Sequence, residues 1–426
     1  MKKNLIIVTA FLINVTLLIT SCQKGIDKSF ALPEESASAN NSNAQKGKKK
    51  VYVSNLDELY AAVNDPGNAG SEVILAAGTY VLNASYPNGG RLELQTDMTL
   101  RGQHGNSDAV FIDQSSLPTT SLVLALGGRT GGIRMGKGTN SLEWLSLKGA
   151  DVSANPFSVI NTDLFSLETW INISHVKVDV NGCVIGINLR NRLAEHSGRK
   201  IYATLEDNEV FNAVNFNGFG VAAQIANGAS GSLIKVTMKK NYIHGNKVGL
   251  LTFCSAQNAT IINSRIEITS HADRIEGNGC GIDFSGAVNQ TTTTVANYNT
   301  AILKMYGSTI SNNNPPGVPQ LTPVNGAFPG AMTLTAGHNS VNNIGGFDRA
   351  SNNIMLVECT GCTISNNGPT DIYAYAAWCL PACVLAGSNN FAELYLHGVS
   401  ANAIVESAAS VPVEPAGTNV VNVVRN

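Results

Sequence analysis

The residues with the clearest potential for chemistry form one short charged cluster. His271-Ala-Asp-Arg-Ile-Glu276 lies directly before a segment that contains Asp283. Asp273, Glu276 and Asp283 could together bind a calcium ion, because calcium prefers oxygen ligands. Arg274 is then the candidate catalytic base, with Asp283 as the second candidate catalytic residue. The alternative is a solvated turn whose charges pair locally, and the sequence leaves both interpretations open.

A repeat indicates the elements that must position these residues. Residues 217–221, 246–250 and 278–282 share the pattern Asn, any residue, apolar, Gly, apolar, and a looser copy lies at 181–187. Successive pattern glycines are 34, 29 and 32 residues apart. Such a period is typical of stacked structural units, because each unit is too short to bury its own apolar face. We therefore predict a β-solenoid, with the turn asparagines bonding along the stack.

The segment before the repeat adds a capping element. Asn55-Leu-Asp-Glu58 has the pattern of a helix N-cap, apolar residues then recur at helical spacing, and Asp65-Pro-Gly67 ends the helix. A short helix followed by strands resembles the N-terminal cap of the pectate-lyase-like, or pectin-lyase-like, right-handed parallel β-helices. The resemblance implies an all-β fold, a right-handed parallel β-helix (β-solenoid) with a short N-terminal capping helix.

Strand alternation predicts which side chains point out of the coils. The residue after each pattern glycine points inward and the next one outward, and later copies of this strand lie at 330–336 and 371–377. We predict a solvent-exposed strip that binds polysaccharide, since aromatic rings stack on sugar faces and amides bond hydroxyls. The alternative is an ordinary two-sided sheet. The predicted binding residues are Asn188, Arg190, Gln224, Phe253, Thr333, Thr335, Tyr373 and Tyr375.

The strip itself offers no compact catalytic pair. Its charged members, Arg190 and Asp283, lie three coils apart, which is roughly 14 Å at the spacing of parallel strands. Hydrolases need two carboxyl groups within roughly 5–10 Å of each other, and the strip has no such pair. The hydrolase-type Asn161-Thr-Asp163 lies outside the repeat. The resemblance implies polysaccharide lyase chemistry on uronate-containing glycans, which would have to use the 271–283 cluster.

The N-terminus predicts export and lipid anchoring. An apolar run from Leu5 to Ile19 follows two lysines, and Ile19-Thr-Ser-Cys22 resembles a lipobox. Cys22 is the expected lipid anchor; a transmembrane anchor is the alternative, but the apolar run is short for one. Gln23, in place of Asp, implies by resemblance the outer membrane or cell surface of a Gram-negative bacterium. We expect a signal peptide at 1–22, a disordered tether at 23–50 and the β-helix domain at 51–426.

Composition argues against a nucleic-acid partner. Charged residues make up 14% of the 426-residue chain and the net charge is −2, whereas soluble domains are typically about 25% charged.

Cys183 and Cys280 occupy the apolar slot of the repeat and predict buried free thiols. Cys379 and Cys383 flank a turn and could close a small loop. The alternative is a zinc site formed by these two with Cys359 and Cys362.

Three functions follow as hypotheses. The first is a monomeric, lipid-anchored surface protein that binds polysaccharide without cleaving it. The second is a polysaccharide lyase acting on acidic glycans, with calcium as the one candidate cofactor. The third is a structural or adhesive surface solenoid. A calcium requirement would favour the second hypothesis, and glycan binding without product release would favour the first.

Overall fold

The computed structural model describes most of the chain from Lys48 onward. Residues 48–426 form one compact unit, and Cys22 lies outside the described residues. In the described part no helix is long and apolar enough to cross a membrane. The described residues are 48–117, 123–124, 128–129, 131–151, 158–215, 218–256, 259–290, 293–315, 330–339, 350–368, 370–379, 387–401, 403–409 and 418–426.

The protein is a right-handed parallel β-helix, which confirms the predicted fold class. Most coils contribute one strand to each of three long parallel sheets, here called A, B and C, and pair in register with the next coil. The described strands of sheet A are β1 (Lys50–Val53), β2 (Glu72–Leu75), β5 (Thr99–Arg101), β10 (Thr139–Glu143), β13 (Glu168–Ser174), β16 (Lys200–Glu206), β19 (Leu233–Lys239), β23 (Arg265–His271), β27 (Thr300–Tyr306), β30 (Ile354–Thr360), β33 (Phe391–His397) and β35 (Val420–Arg425).

Sheet B contains shorter strands that follow sheet A after a tight corner. They are β3 (Gly78–Val81), β6 (Val110–Asp113), β11 (Ser146–Lys148), β14 (Lys177–Asp179), β17 (Glu209–Phe211), β20 (Tyr242–His244), β24 (Arg274–Glu276), β28 (Thr309–Ser311) and β31 (Thr363–Ser365). Sheet C holds the repeat strands, namely β4 (Leu92–Glu93), β9 (Gly131–Arg134), β12 (Ser158–Asn161), β15 (Ile185–Asn191), β18 (Phe219–Ala226), β21 (Val248–Ala256), β25 (Cys280–Asn289), β29 (Gly330–Asn339), β32 (Ile372–Cys379) and β34 (Ile404–Ala409).

Smaller elements complete the described chain. The pair β22 (Ile261–Ile262) and β26 (Ala296–Asn297) is parallel, and the pair β7 (Val123–Leu124) and β8 (Gly128–Arg129) is antiparallel. The α-helix is α1 (Leu56–Asn64), and the 3-10 turns are Pro66–Asn68, Pro87–Gly90, Ser107–Ala109 and Ala194–His196.

The predicted capping helix is confirmed. Asn55 Oδ1 accepts a hydrogen bond from Glu58 N at 3.0 Å, and Glu58 Oε2 accepts one from Ser54 N at 2.7 Å. This reciprocal pattern satisfies N–H groups that the first helical turn leaves free. Leu59 and Val63 on the inner side of α1 are buried in the same core as the coils, so the helix covers apolar surface of the first coil.

The β-helix begins slightly earlier than predicted. Strand β1 starts at Lys50, inside the segment expected to be tether. Lys48 Nζ donates to Thr99 Oγ1 and Lys49 Nζ donates to Asn68 Oδ1, each at 2.9 Å. The end of the basic run therefore belongs to the first coil, because its side chains find acceptors on the neighbouring strand and turn.

The pattern glycines are required by the stacking of coils. A Cβ atom on Gly249 would lie 2.7 Å from the carbonyl oxygen of Gly281, and one on Gly220 would lie 2.8 Å from that of Gly249. Real Cβ atoms do not approach an oxygen so closely, so any larger residue would push the coils apart. The inward residues predicted beside these glycines are buried, at 2% exposure or less: Ile187, Val221, Leu250 and Ile282.

The predicted asparagine stack is confirmed at the corner between sheets B and C. Asn246 N donates to Asn278 Oδ1 at 3.0 Å, Asn278 N to Asn313 Oδ1 at 3.0 Å, and Asn313 N to Asn367 Oδ1 at 3.1 Å. Each amide also donates to a backbone carbonyl of the preceding coil, as Asn278 Nδ2 does to Ile243 O at 3.1 Å. The repeat asparagines therefore hold the coils together, which is a structural role.

Candidate functional site

The strip predicted from the repeat lies on the outer face of sheet C, in the predicted register. Two outward columns run along the axis through paired residues of successive coils. The first column contains Asn188, Ala222, Leu251, Asp283, Thr333 and Tyr373. The second contains Arg190, Gln224 and Phe253 in three coils, and Ser285, Thr335 and Tyr375 in later ones.

The expectation that this strip is exposed to solvent is wrong. Asn188 and Thr333 are fully buried, and Phe253, Tyr373 and Tyr375 are only partly exposed. Arg190, Gln224, Asp283 and Thr335 retain 3–4% exposure. The face therefore cannot bind an extended glycan in the arrangement seen here.

The same outer face is also rich in apolar residues. Ile185, Phe219, Val248 and Leu251 form a second hydrophobic cluster, separate from the core inside the coils. Parallel strands that are buried on both faces show nearly continuous apolar runs, and Val248-Gly-Leu-Leu-Thr-Phe-Cys254 is such a run. This apolar run indicates a buried outer face. Strand alternation alone predicts which side chains point out of the coil, but not which of them are exposed to solvent.

Within this buried face, Asp283 has the chemistry of a proton-transfer group. Burial raises the pKa of Asp283 to about 7, and the hydrogen bond from Ser285 Oγ, at 3.3 Å, opposes that rise only in part. A carboxyl group that titrates near neutrality can accept or release a proton under physiological conditions. Strongly perturbed groups are enriched at functional sites, although structural burial also produces them.

His338 lies further along the same sheet and is also buried. Burial lowers the pKa of His338 to about 3, so its ring is neutral. Its Nε2 atom has no hydrogen-bond partner in the described part of the protein, and its ring packs edge-on against Trp378 with centroids 4.6 Å apart. This histidine therefore lies inside the buried layer of sheet C.

The charged cluster at 271–283 does not converge on one point. Asp273 is fully buried at the corner between sheets A and B, where its Oδ1 accepts from Asn241 N at 2.7 Å and its Oδ2 from Ser270 Oγ at 2.6 Å. Arg274 and Glu276 lie on sheet B, and Asp283 lies on sheet C. The corner between them turns the chain, so residues that are close in sequence point in different directions.

The candidate base Arg274 is an exposed, paired guanidinium. It bonds Glu276 at 2.7 Å and lies 4.4 Å from the centre of the Tyr242 ring. The carboxylate of Glu276 raises the pKa of Arg274, which keeps the guanidinium protonated. A base needs the opposite shift. These local ion pairs match the alternative interpretation of the cluster as a solvated turn.

The three predicted calcium ligands lie on different parts of the coil. Asp273, Glu276 and Asp283 occupy the interior corner, sheet B and sheet C respectively. Among the described residues no group of three or more His, Cys, Asp or Glu side chains is placed to bind a metal. Cys183, Cys280, Cys359 and Cys362 are buried free thiols, Cys379 is disulfide-bonded, and Cys383 lies outside the described residues.

An open depression lies at the corner between sheets A and B, and the sequence analysis missed it. Its volume is about 310 Å³. We call it the corner groove, and it is lined by Ser107, Trp144, His175, Lys177, Asp207, Asn208, Glu209, Lys240 and Tyr242. Two outward columns supply most of this lining. One is the first of the two corner residues in each coil, and the other is the first residue of each following strand of sheet B.

Aromatic rings form the floor of the groove at one end. The Trp144 indole stacks on His175 with centroids 3.8 Å apart and planes 15° apart, and His104 extends the run at 4.8 Å from Trp144. At the other end Tyr242 stacks on His244 at 4.1 Å. Such rings offer flat apolar area together with polar edges, and both features suit a sugar ring.

Charged groups of both signs surround these rings. Lys177 Nζ bonds both carboxylate oxygens of Asp108 at 2.7 Å, and Lys177 lowers the pKa of that carboxyl group. His244 Nε2 is 3.0 Å from Glu209 Oε1, and His175 Nδ1 is 3.9 Å from Asp207 Oδ2. The groove therefore presents donors and acceptors in alternation, without a single dominant charge.

The corner residues occupy a backbone conformation that disfavours them. Trp144, His175, Asp207 and Lys240 have φ between 52° and 56°, as does Ala272 at the same corner of the next coil. This region costs bulky residues such as Trp144 and Lys240 about 1–2 kcal/mol each, whereas Asp and His tolerate it better. The same corner in later coils carries Gly307, Gly361 and Gly398, which adopt this conformation freely. Most other non-glycine residues with positive φ in the described chain are Asn. Strained residues held at one place point to a functional use of their side chains.

The groove could have been found from the sequence in part. Once the corner after each strand of sheet A is known, Trp144, His175, Asp207 and Lys240 appear where Gly or Asn is expected. Without that register they look like ordinary polar turn residues, because the repeat pattern marks a different corner.

No family model matches the chain, and no curated protein matches it. Among solved structures, the A-module of mannuronan C-5 epimerase AlgE4 from Azotobacter vinelandii is 15% identical, with a TM-score of 0.33, over 87% of this chain and 95% of that one. The A-module of AlgE6 from the same organism is 13% identical, with a TM-score of 0.35, over 87% and 94%.

A third similar structure is ORF18 of Geobacillus virus E2. It is 12% identical, with a TM-score of 0.32, and the match covers 83% of this chain and 56% of the viral one. The chain thus spans only about half the length of that viral protein. Similarities this distant identify no shared site, and the candidate function rests on the geometry described above.

Proposed function

We propose that this protein binds polysaccharide in the corner groove, without cleaving it. The observation that carries the proposal is the stacked Trp144–His175 platform, built from residues in a strained conformation inside an open depression. The proposal keeps the glycan partner predicted from the sequence and moves its binding surface from sheet C to the corner of sheets A and B. The lipid anchor expected at Cys22 would hold this surface beside a membrane.

The dimensions of the groove support an extended chain of sugars. The corner residues Trp144, His175, Asp207 and Lys240 belong to four consecutive coils, which span about 14 Å along the axis at parallel-strand spacing. The rise per coil is similar to the length of one pyranose unit. Successive sugars can therefore meet equivalent positions of successive coils, with rings below them and donors or acceptors beside them.

The test is the loss of binding when the platform is removed. Trp144→Gly deletes the indole and places the preferred residue at φ 56°, so the variant should fold at least as stably as the wild type. Affinity for whichever polysaccharide in a panel the wild type binds should fall by roughly 10-fold or more, as the loss of one buried-aromatic contact implies. Affinity gel electrophoresis and calorimetry measure this directly.

Trp170→Ala is the matched control. Trp170 is exposed, at 44%, and like Trp144 it stacks on an aromatic side chain of the next coil, in this case Tyr202, with centroids 5.7 Å apart. It lies on the face of sheet A outside the groove, so its removal should leave affinity unchanged. Equal effects of the two substitutions, or full affinity in Trp144→Gly, would refute the corner groove as the binding surface.

A second candidate function is lyase chemistry at Asp283, favoured by its pKa of about 7. In this alternative the carboxylate would remove a proton from a uronate sugar, and the outer face of sheet C, where Asp283 is 4% exposed, would have to open to admit that sugar. Acidic polysaccharides incubated with wild-type protein would then give absorbance at the unsaturated-uronate band, and Asp283→Asn would abolish it. Wild-type protein that binds acidic polysaccharides but gives no such absorbance would exclude this alternative.

A further inference from the structure

Two cysteines meet at one corner of a coil. Cys359 lies one residue before the end of β30 and Cys362 lies directly before β31, so the segment between them forms the corner of sheets A and B. Gly361 turns the chain there with φ 61°. Both cysteine side chains belong to the core inside the coils, at 0% and 3% exposure, and their thiol groups hydrogen-bond each other. The corner therefore holds a preformed dithiol.

The surroundings make the two thiols chemically different. The hydrogen bond from the Cys359 thiol lowers the pKa of Cys362, against the effect of burial and with help from the backbone of Ser308. The same hydrogen bond, together with burial, raises the pKa of Cys359. The thiolate is the nucleophilic form of a cysteine. Cys362 is thus the attacking sulfur of the pair, and Cys359 is the thiol that reacts second.

The other free thiols in the described part of the chain differ from this pair. Cys183, Cys254 and Cys280 are buried, and burial raises the pKa of each. Cys183 Sγ donates to Ala150 O at 3.5 Å, and Cys280 Sγ donates to Ile282 O at 3.4 Å. Thiols in such surroundings stay protonated and react slowly. They serve as controls inside the same molecule.

Oxidising conditions are consistent with the rest of the chain. Cys379 in β32 is disulfide-bonded, and disulfides persist in oxidising compartments. The corner backbone above the dithiol is exposed at Thr360, Gly361 and Thr363. A small oxidant therefore has to pass only one layer of backbone to reach the sulfur of Cys362.

We propose that Cys359 and Cys362 form a redox-active pair that hydrogen peroxide oxidises to a disulfide. The Cys362 thiolate attacks one peroxide oxygen, so that an S–O bond forms and the O–O bond breaks. The departing hydroxide takes up the proton that Cys362 had released. The Cys359 thiol then attacks the Cys362 sulfur, an S–S bond forms, the S–O bond breaks, and the hydroxide leaves as water with the Cys359 proton.

The net reaction is balanced by the peroxide alone. Both thiols are oxidised to one disulfide, and hydrogen peroxide is reduced to water. This inference goes beyond glycan binding and does not depend on it, because the corner groove is formed by residues of other coils.

The test follows each cysteine separately in the full-length wild-type protein. After brief treatment with hydrogen peroxide, the protein is unfolded, its free thiols are alkylated, and its peptides are analysed by mass spectrometry. Cys359 and Cys362 should lose alkylation together, as one internal disulfide, at least about 10-fold faster than Cys254 or Cys280 lose theirs. Dithiothreitol should restore both thiols. A pair that is already disulfide-bonded in protein purified without reductant also supports the proposal, provided that peroxide re-forms the bond after reduction.

Cys359→Ala separates the two steps. Without the second thiol, Cys362 should stop at the sulfenic acid, which dimedone traps. Its oxidation at pH 7 should also slow by roughly 10-fold, because the hydrogen bond that lowers its pKa is lost. Cys254→Ala is the matched control, since it removes a buried thiol outside the pair and should leave the rate and the disulfide unchanged. Trp144→Gly should likewise keep the disulfide while losing polysaccharide affinity.

Two outcomes would overturn the proposal. One is oxidation of Cys359 and Cys362 no faster than that of Cys254 and Cys280. The other is oxidation of Cys362 to a sulfinic acid in the wild type, with no disulfide to Cys359. Both comparisons are made in the wild type, so they decide the question even when Cys359→Ala does not fold.

Discussion

At the scale of the residue, Asp283 determines part of the pH dependence of stability. Its pKa is about 7 in the folded protein, against about 3.9 in an unfolded chain. Between these values the folded state holds a proton that the unfolded chain has released. The free energy of unfolding should therefore fall by roughly 1.4 kcal/mol per pH unit as the pH rises through this window, on account of this group alone.

Asp283→Asn removes this titration. From pH 5 to pH 8, the free energy of unfolding of the variant should rise by about 2–3 kcal/mol relative to that of the wild type. Urea unfolding of both proteins at both pH values measures this difference. Glu168→Gln is the control, because Glu168 is 45% exposed and pairs with Lys200 at the surface. If the free energies of unfolding of the wild type and Asp283→Asn differed by the same amount at pH 5 and pH 8, the carboxyl group of Asp283 would not be buried.

At the scale of the element, the asparagine stack fixes the corner between sheets B and C. Asn278 Oδ1 accepts from both Asn246 N and Asn246 Nδ2, at 3.0 and 3.1 Å. Asn278→Ala should leave these donors and the carbonyl of Ile243 buried without partners. Since each such group costs about 1–3 kcal/mol, we expect a loss of about 2–4 kcal/mol in the free energy of unfolding, measured by denaturant titration.

Asn172→Ala serves as the matched substitution on the open face of sheet A. Asn172 is partly exposed and makes one long bond of 3.4 Å to Ser141, so its replacement should change stability by less than about 0.5 kcal/mol. Similar losses in the two variants would show that the stack contributes no more than a surface amide does.

At the scale of the whole molecule, each coil pairs directly with its neighbours only. Stability in such a solenoid is nearly a sum over coils and their interfaces. Leu394→Ala in β33, near one end, should therefore raise hydrogen exchange mainly in the last described coils. Leu250→Ala in β21, in the middle, should raise exchange in coils on both sides. Exchange measured by mass spectrometry checks this, and uniform loss of protection in both variants would indicate a single cooperative unit.

The sequence by itself determined the fold, the inward residues and the stacked asparagines. These features repeat in every coil, and a repeat reports local rules such as the glycine that admits the carbonyl of the next coil. Ile187 and Leu250 were placed correctly for this reason, since alternation along a strand fixes which face a side chain joins.

Only the tertiary structure decided which outward surfaces meet water and which charges meet each other. The outer face of sheet C is buried, although its residues alternate outward as predicted. Asp273 and Asp283 are ten residues apart and lie on opposite sides of a corner, whereas Arg91 and Arg190 are far apart in sequence and share one buried cluster. The physical reason is that burial and electrostatic contact depend on the packing of segments distant in sequence, and no local pattern records that packing.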